Sequence, residues 1–359
     1  MKINLTHREQ AEMHFIDSLM AFNSVGIGPE LKNEYRRNVK KKKLQVSSLR
    51  DVAAILKSST LYKFSSFFEY SNHKLIFDKT LSILKKREAK VIAWLDNINQ
   101  LNSSSKLQLT PELGVPHYYE RVDIHTQPGG YHGSSYAGFL YHWMIEPFLV
   151  HRDHNDGMGW ALANAVPTHS YENIMDMGCG IGKSTFPYCD LFPSANVVGI
   201  DYAAPMLKYA HKLADKRKKN VIFKQCFAES TGYDKNSFDL VVALWLFHEL
   251  PRSAGDAVIA EAHRILRPGG IFAIMEGPPY KELEKNYSPL SAFMLDASGK
   301  RMSDPYLPAF FSRNRVAMLK SGGFSHAYDK AVHRELAAED GGKKNLFGSY
   351  PWWVTIGEK

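Results

Sequence analysis

The sequence predicts an α/β fold, in which a mostly parallel sheet covered by helices follows a mainly helical region. From Tyr171 onward, short apolar segments rich in β-branched residues alternate with helical ones, as in a parallel sheet with both faces covered. Over the first 110 residues, apolar residues recur at three- and four-residue spacing, which predicts helices. A glycine-rich segment directly follows the first predicted strand, so a sharp turn is expected there.

The region 1–150 is predicted to form a helical domain. Its predicted helices are Thr6–Asn23, Val46–Ser58, Leu75–Leu101 and Tyr136–Val150, the last with a bend at Pro147. Between positions 110 and 169, aromatic residues, His and Gly crowd together around a strong turn signal at 127–130. We interpret this stretch as the join between the two domains.

The region 151–359 is predicted to form the sheet domain. The expected strands are Asn173–Met177, Asn196–Asp201, Val221–Cys226, Phe238–Leu244, Gly270–Met275, Phe324–Val332 and Trp352–Ile356. The clearest helices between them are Pro205–Lys218 and Ala254–Leu266, and a less regular insert is expected at about 278–312.

The composition is that of a folded protein, because 44% of the 359 residues are hydrophobic and 23% are charged. Three cysteines without a CxxC spacing argue against a disulfide scaffold or a common structural zinc site, and they fit a reducing compartment. No apolar run approaches the roughly 18–20 residues of a membrane span. The N-terminal segment also lacks a signal-peptide core. We therefore expect a cytoplasmic protein without a membrane span.

The formal net charge is +8, and a basic run at Arg36–Lys43 contributes six positive charges in eight residues. Such a run can bind phosphate backbones or acidic membranes. The plainer interpretation is a solvated helix face or loop. Because no aromatic residues interleave with the basic ones, a stacking platform for single-stranded nucleic acid is not indicated, and nucleic acid is not the expected partner.

The most informative motif is the glycine-rich segment after the first strand, where Gly178, Gly180 and Gly182 follow Asp176. Glycines at this position let the backbone approach a ligand closely. The spacing is not the G-x-G-x-x-G of a dinucleotide-binding loop. It is not a P-loop either, because Met177 stands where the first glycine of that motif is required.

A second acidic residue, Asp201, ends the next predicted strand 23 residues after Gly178, where an acid can accept both ribose hydroxyls of a nucleoside. Together with FAES (227–230), NSFDLVVALWLFHELP (236–251) and LRPGG (266–270), these residues resemble the class I S-adenosylmethionine-dependent methyltransferases. The resemblance covers about residues 171–275. It implies a Rossmann-like sheet of seven mostly parallel strands with helices on both faces.

The resemblance also implies a cofactor site for S-adenosylmethionine, which leaves as S-adenosylhomocysteine, and no metal ion is expected. The residues carried over for the cofactor are Asp176 for the methionine ammonium, Gly178, Gly180 and Gly182 for the loop, Asp201 for the ribose, Tyr202 and Met206 beside the adenine, Ala228 and Glu229 at the adenine edge, and Ala243 and Leu244 at the methionyl part. Phe227 departs from the acid that the family often has there, so either Glu229 substitutes or the adenine amino group is met differently. Lys183 is expected to point toward solvent.

Candidates for a catalytic base come from the loops after the sheet strands. His248 and Glu249 follow the strand Phe238–Leu244, with a loop-stabilising pair as the alternative; Glu276 is a weaker candidate and His132 a further one. The string GPPY (277–280) resembles a motif of enzymes that methylate amino groups. It begins with Gly and follows a different strand, so we interpret it as a turn.

The segment from Tyr118 to His154 is the expected substrate cover, because a lid of N-terminal helices and an insert would exclude water. Tyr131, Tyr136, Tyr141 and His142 are the candidate pocket residues, unless they simply pack between domains. Two close pairs, His142 with Glu146 and His151 with His154, have a spacing that metal ligands use, but no complete metal signature is present.

The leading hypothesis is therefore a methyltransferase that acts on an O or N nucleophile of a small, aromatic or lipophilic metabolite. The alternatives are a nucleic-acid methyltransferase, for which the basic run alone speaks, and a catalytically silent methyltransferase-like binding module. Helical N-terminal regions in related enzymes often form dimers, so a homodimer is a further expectation.

Overall fold

The computed structural model describes residues 3–97, 104–148, 156–332 and 351–359. The N-terminal region is helical, as predicted. Its helices are α1 (His7–Ala21), α2 (Gly28–Lys41), α3 (Leu49–Leu56), α4 (Thr60–Lys85), α5 (Glu88–Asp96), α6 (Ala137–Phe148) and α7 (Gly157–Ala163). Thr6 and Ser48 cap α1 and α3 with reciprocal side-chain and backbone bonds, which fixes where these helices begin.

One predicted helix, Leu75–Leu101, is wrong in its bounds. The structure divides it between α4, which begins fifteen residues earlier at Thr60, and α5. The Ser59 hydroxyl accepts from the Tyr62 N–H and starts α4. The chain leaves helical geometry at Arg87, with φ −124° and ψ 20°. Positions 98–101 of the prediction lie outside the described residues.

The sheet contains eight strands in the order β1-β4-β3-β2-β5-β6-β8-β7. The strands are β1 (Lys106–Gln108), β2 (Asn173–Met177), β3 (Asn196–Asp201), β4 (Ile222–Gln225), β5 (Phe238–Leu244), β6 (Leu266–Glu276), β7 (His326–Val332) and β8 (Trp352–Glu358). The first six run parallel, and β8 pairs antiparallel with both β6 and β7. The predicted α/β class and mostly parallel sheet are confirmed.

The predicted count of seven strands was one too few. The additional strand, β1, comes from the region expected to be helical and pairs with the sheet edge at β4. It is only three residues long, too short to show a recognisable period of two in the sequence.

The helices of the sheet domain lie between and after its strands. They are α8 (Phe186–Leu191), α9 (Ala204–Arg217), α10 (Arg252–Ile265), α11 (Tyr280–Asn286), α12 (Pro289–Arg301), α13 (Leu307–Phe311) and α14 (Arg315–Ser321). The insert expected to be less regular is thus mostly helical. Ser288 caps α12 through the Ser291 N–H, and Pro289 occupies its first turn, where a missing N–H costs nothing.

The insert packs against the N-terminal helices. Leu290, Phe293 and Ala297 of α12 share a small apolar core with side chains of α2 and α3. The Arg301 guanidinium at the end of α12 donates to the Glu69 carboxylate of α4 over 2.6 Å. These contacts pack α12 against α2, α3 and α4.

A larger core joins the helical region to the sheet. Ile16 of α1, Phe77 of α4 and Leu140 of α6 belong to the same buried cluster as the strands β2, β3 and β5. The basic run Arg36–Lys43 lies at the exposed end of α2, as expected for a solvated helix face. Among the described residues, no helix combines the length and the hydrophobicity that crossing a bilayer requires.

Candidate functional site

The glycine-rich loop leaves the carboxyl end of β2 and turns into α8. Gly178, Gly180 and Gly182 all have positive φ, between 51° and 84°, which L-residues with a side chain rarely adopt. At Gly178 a Cβ would lie 2.8 Å from Leu246 Cδ1, and at Gly182 one would lie 2.8 Å from Phe186 Cζ. The backbone conformation therefore favours glycine at all three positions, and the short contacts add a steric reason at Gly178 and Gly182.

Asp201 ends β3 beside this loop. Its carboxylate accepts from the Gly180 N–H at 3.0 Å and from the Ala203 N–H at 2.8 Å. Burial raises the pKa of Asp201 to about 6, and the two backbone N–H bonds oppose that rise. The carboxylate is thus fixed in direction and has lone pairs left for hydroxyl groups of a ligand.

Asp176 lies on β2, just before the glycine loop. It is fully buried, and its Oδ2 accepts from the hydroxyls of Ser184 and Thr185, each at 2.6 Å. These bonds tie the end of the glycine loop to β2, and burial raises the pKa of Asp176 to about 7. Asp176 does not line the cleft described below, but its Oδ1 is buried without a hydrogen-bond partner among the described residues, so the contact with a ligand ammonium stays a prediction.

A cleft opens above the carboxyl ends of these strands. Eight of the predicted cofactor residues line it: Gly178, Gly180, Asp201, Tyr202, Met206, Ala228, Glu229 and Leu244. Gly182 and Ala243 lie behind this surface. Residues that the sequence did not single out, Trp245 and Leu246, continue the wall after β5. Ligands of open parallel sheets bind in this position.

One wall of the cleft is aromatic. Tyr119 stacks on Tyr202 with ring centroids 5.2 Å apart and an interplanar angle of 22°. The Tyr118 hydroxyl donates to the Glu229 carboxylate over 2.6 Å. Phe227 also lines the cleft, so Glu229 is the carboxylate present at the adenine edge that the resemblance implies.

The expectation that Lys183 points toward solvent was wrong. Its residue is only 8% exposed and lines the cleft. Helix α7 covers it closely, since a Cβ at Gly159 would lie 2.5 Å from the Lys183 carbonyl oxygen. Sequence alone did not predict that a helix before the sheet would pack on the glycine loop.

Comparison with known proteins bears directly on this loop and its neighbours. Residues 174–270 match the family model described as a methyltransferase domain. The chain is 34% identical over 122 residues to a demethylmenaquinone methyltransferase of Lactococcus lactis, covering 32% of this chain and 48% of that protein. It is 28% identical over 172 residues to a demethylmenaquinone methyltransferase of Thermus thermophilus, covering 44% and 76%.

Residues 174–270 form a class I S-adenosylmethionine-dependent methyltransferase domain. This confirms the predicted family, its cofactor and its enzyme class at the level of the domain. Among solved structures, the S-adenosylmethionine complex of a Haemonchus contortus phosphoethanolamine N-methyltransferase is similar at 16% identity, with a TM-score of 0.44 and coverage of 68% of this chain and 60% of that one. The chain spans about half the length of most of the first curated relatives that it matches.

A second cavity lies next to the cofactor cleft. The two share Tyr141, Met158, Trp245 and Glu249 as lining residues. The second cavity is otherwise bounded by α6, by α12 and α13, and by Trp352 of β8. Its surface is mostly apolar, from residues such as Ile145, Leu295, Met302 and Leu307.

Four polar side chains meet where the two cavities join: His125, His248, Glu249 and Asp304. His125 Nε2 lies 3.0 Å from Glu249 Oε1 and 3.7 Å from Asp304 Oδ1. His248 Nε2 lies 3.8 Å from Glu249 Oε1. All four residues line the second cavity, so a molecule bound there would meet them.

Glu276 contacts the Nδ1 side of the His248 ring. Its carboxylate is fully buried, accepts from the Phe247 N–H at 2.9 Å, and lies 3.0 Å from His248 Nδ1. Burial lowers the pKa of His248, but the Glu276 carboxylate outweighs it and raises that pKa to about 10. Glu276, the weaker candidate base, is thus occupied in orienting His248.

The remaining predicted residues are divided by the structure. Tyr131 and Tyr141 line the cofactor cleft, and the Tyr131 hydroxyl donates to Glu249 over 2.8 Å. Tyr136 and His142 do not line either cavity, because the Tyr136 hydroxyl donates to Glu88 and His142 Nδ1 lies 2.7 Å from the Tyr209 hydroxyl. The alternative of packing between elements describes these two better.

His132, the further candidate base, lines neither the cofactor cleft nor the second cavity. It is half-buried, and its Nδ1 lies 3.5 Å from the Tyr202 hydroxyl, on a shallow surface that Tyr119 and Gly133 also line. Sequence reasoning missed His125 and Asp304. His125 has a φ of 56°, an unusual backbone conformation that no local pattern announces. Of the predicted histidine pairs, the side chains of Glu146, His151 and His154 lie outside the described residues.

Asp176→Asn is expected to stabilise the protein above neutral pH by about 1–2 kcal/mol. The native carboxyl has a raised pKa, so its folded state binds a proton that the unfolded state releases, and stability is lost as the pH rises through about 7. The measurement is the Tm of both proteins by calorimetry at pH 5 and pH 8. The gain should be largest at pH 8, and Asp234→Asn, an exposed site, is the control. An equal change at both pH values would contradict the assignment.

Proposed function

We propose that the chain is a methyltransferase that transfers the methyl group of S-adenosylmethionine to a small acceptor with an apolar body and an O or N nucleophile. The observation that carries this proposal is the shared wall of two cavities. The first has the glycine loop and acid of a class I cofactor site, and the second is mostly apolar with polar groups at the junction.

The residues of the first cavity fit the cofactor. Gly178 and Gly180 have positive φ and line the cleft without side chains, which suits close approach of the methionyl part. Asp201 is oriented to accept from the two ribose hydroxyls, and Tyr202 and Met206 lie where adenine is flanked in the family. Glu229, ordered by the Tyr118 hydroxyl, is in place to accept from the adenine amino group.

The second cavity suits the acceptor. Aliphatic side chains and two tryptophans, Trp245 and Trp352, would bury an aromatic or lipophilic body. Glu249 lines both cavities, so an acceptor nucleophile that contacts it is also close to the methyl donor. Holding the two reactants together without water is the main contribution a protein makes to this reaction.

The chemistry of the second cavity also argues against a nucleic-acid substrate. No Lys or Arg is among the described residues that line it. Phosphate backbones are bound chiefly by such cations. The lid, in this proposal, consists of α6 with the loop before it and of α12 with α13, because these elements close the cavity above the sheet.

Asp201→Ala is expected to weaken S-adenosylhomocysteine binding at least tenfold, since it removes the acceptor of both ribose hydroxyls. Calorimetric titration at pH 7.5 measures this, and Asp234→Ala is the matched control. Binding by the native protein should also weaken as the pH falls through about 6, where Asp201 takes up a proton. Asp176, Glu249 and the thiols of Cys179 and Cys226 are the other titratable groups that face it or lie near. Unchanged affinity in Asp201→Ala would refute the assigned cofactor site.

Methyl transfer is expected to small phenols, other hydroxyl compounds or amines and not to RNA or DNA. The experiment incubates the protein with S-adenosylmethionine that carries a labelled methyl group and a panel of acceptors. Leu295→Trp, which fills the second cavity, should abolish transfer while S-adenosylhomocysteine affinity stays within about twofold of the native value. Labelling of nucleic acid would favour the alternative enzyme. Cofactor binding with no transfer to any class would favour the silent binding module.

We also propose that the chain forms a homodimer through the outer face of its N-terminal helices. Phe15 of α1 and Phe64 and Phe67 of α4 are each more than half exposed, and α1 packs against α4. Such apolar surface is unusual on a monomer. Light scattering after gel filtration should give about twice the 40.7 kDa chain mass. Phe15→Ser with Phe67→Ser should halve it, whereas Tyr287→Ser should not.

A further inference from the structure

The four polar side chains at the junction of the cavities have the composition of a metal site. Two imidazoles, His125 and His248, face two carboxylates, Glu249 and Asp304. They come from a loop before α6, from the turn after β5 and from the turn before α13, so the fold alone brings them together. We propose that these four residues bind a divalent transition-metal ion between the cofactor cleft and the acceptor cavity.

The spacing of the ligand atoms supports this assignment. One such atom from each residue lies within 4.8 Å of those of the other three. Ligands about 2.0–2.2 Å from a shared ion lie roughly 3–4 Å from one another. The distances from Glu249 Oε1 to His125 Nε2 and to His248 Nε2, 3.0 and 3.8 Å, fall in that range.

An unsatisfied acceptor points into the cluster. Asp304 is 4% exposed, and its Oδ1 is buried without a hydrogen-bond partner among the described residues. The nearest cationic group to this oxygen is His125 Nε2 at 3.7 Å, beyond hydrogen-bond distance. A buried carboxylate oxygen without a partner is costly, and a coordinated cation would satisfy it.

Two of the four residues, His248 and Glu249, have the outer hydrogen bonds that metal ligands commonly make. Histidines that bind metals usually donate their other ring N–H to a carboxylate, which fixes the tautomer. Glu276 lies 3.0 Å from His248 Nδ1 and directs Nε2 toward the cluster. The Tyr131 hydroxyl donates to Glu249 and holds that carboxylate in place. Glu276 itself is fixed by two backbone N–H groups, of Phe247 and His248.

Charge and ligand type select the class of metal. The ion would displace the protons that His125 and His248 hold in its absence. Two neutral imidazoles and two carboxylates then carry a charge of −2, which one divalent cation neutralises. Imidazole ligands favour zinc, iron or manganese over calcium and magnesium, which prefer oxygen alone. The earlier expectation of no metal considered ligands close together in sequence, whereas these four residues span positions 125 to 304.

A role for the ion follows if the proposed function holds. The acceptor oxygen would coordinate the ion as a fifth ligand, and the acceptor hydroxyl would then lose its proton to solvent. That oxygen then forms a bond to the sulfonium methyl carbon as the carbon–sulfur bond breaks. The sulfur keeps the electron pair of the broken bond, which leaves neutral S-adenosylhomocysteine and a methyl ether. The acceptor class is therefore a hydroxyl compound that coordinates a metal.

The test measures the metal by itself. The purified, chelator-treated protein is titrated calorimetrically with Zn²⁺ and with Mn²⁺, with Mg²⁺ for comparison, and Co²⁺ loading is followed by its visible absorption. One Zn²⁺ or Mn²⁺ per chain is expected. Asp304→Asn and His125→Gln should each weaken binding at least tenfold, because each removes one ligand. His211→Gln, which changes a buried histidine that bonds Ser105 instead, is the matched control.

Two outcomes overturn the inference: Zn²⁺ and Mn²⁺ both fail to bind at one ion per chain, or binding is the same in Asp304→Asn as in the native protein. S-adenosylhomocysteine affinity of each variant shows that it is folded, since Asp304 and His125 do not line the cofactor cleft. Cofactor binding without metal binding refutes the metal site and leaves the proposed function standing. Metal binding without cofactor binding does the reverse.

Discussion

The parallel pairing of β2 with both β3 and β5 is the constraint on which the rest of the site depends. Carboxyl ends of neighbouring parallel strands meet at one edge of a sheet. The glycine loop, Asp201 and the turn that carries His248 and Glu249 each follow one of these three strands. Strands β3 and β4 lie on one side of β2, whereas β5 and β6 lie on its other side. This switch in strand order leaves a crevice above β2, where the cofactor cleft lies. The position of the cleft thus follows from the strand order alone.

The same edge concentrates ionisable groups at a cost to stability. Asp176, Glu276 and Asp304 are all nearly or fully buried, and burial of a charged group without full compensation is unfavourable. Burial raises the pKa of Asp176 to about 7, which shows that its hydroxyl partners do not fully replace water. The large apolar core that joins α1, α4 and α6 to the sheet offsets this cost. Unfavourable burial of ionisable groups at one edge is typical of sites selected for binding and not for stability.

The strands and the cofactor loop could be predicted from sequence because their signals are local. Asp201 ends a short apolar strand at a fixed distance from the glycine loop, and both features can be read within 30 residues. The junction residues could not be predicted in this way. His125 and Asp304 are 179 positions apart, and what makes them neighbours is the packing of α12 and α13 above the sheet. The prediction for Lys183 was wrong for another reason: α7 packs on the glycine loop, and no sequence pattern indicated that packing.

The residues around the two cavities come partly from the matched methyltransferase domain and partly from outside it. Trp245, His248 and Glu249 lie in the stretch that matches the methyltransferase domain, whereas His125, Tyr141 and Asp304 lie outside it. Most residues that line the cofactor cleft lie within the matched stretch, 174–270. The polar junction, by contrast, combines residues from inside and outside that stretch. If the acceptor binds at this junction, as proposed, its binding depends on the packing of the N-terminal helices against α12. The Arg301–Glu69 contact and the shared core of α2, α3 and α12 hold these elements together. Substitutions in that interface, remote from the reacting atoms, would change acceptor use before they change cofactor affinity.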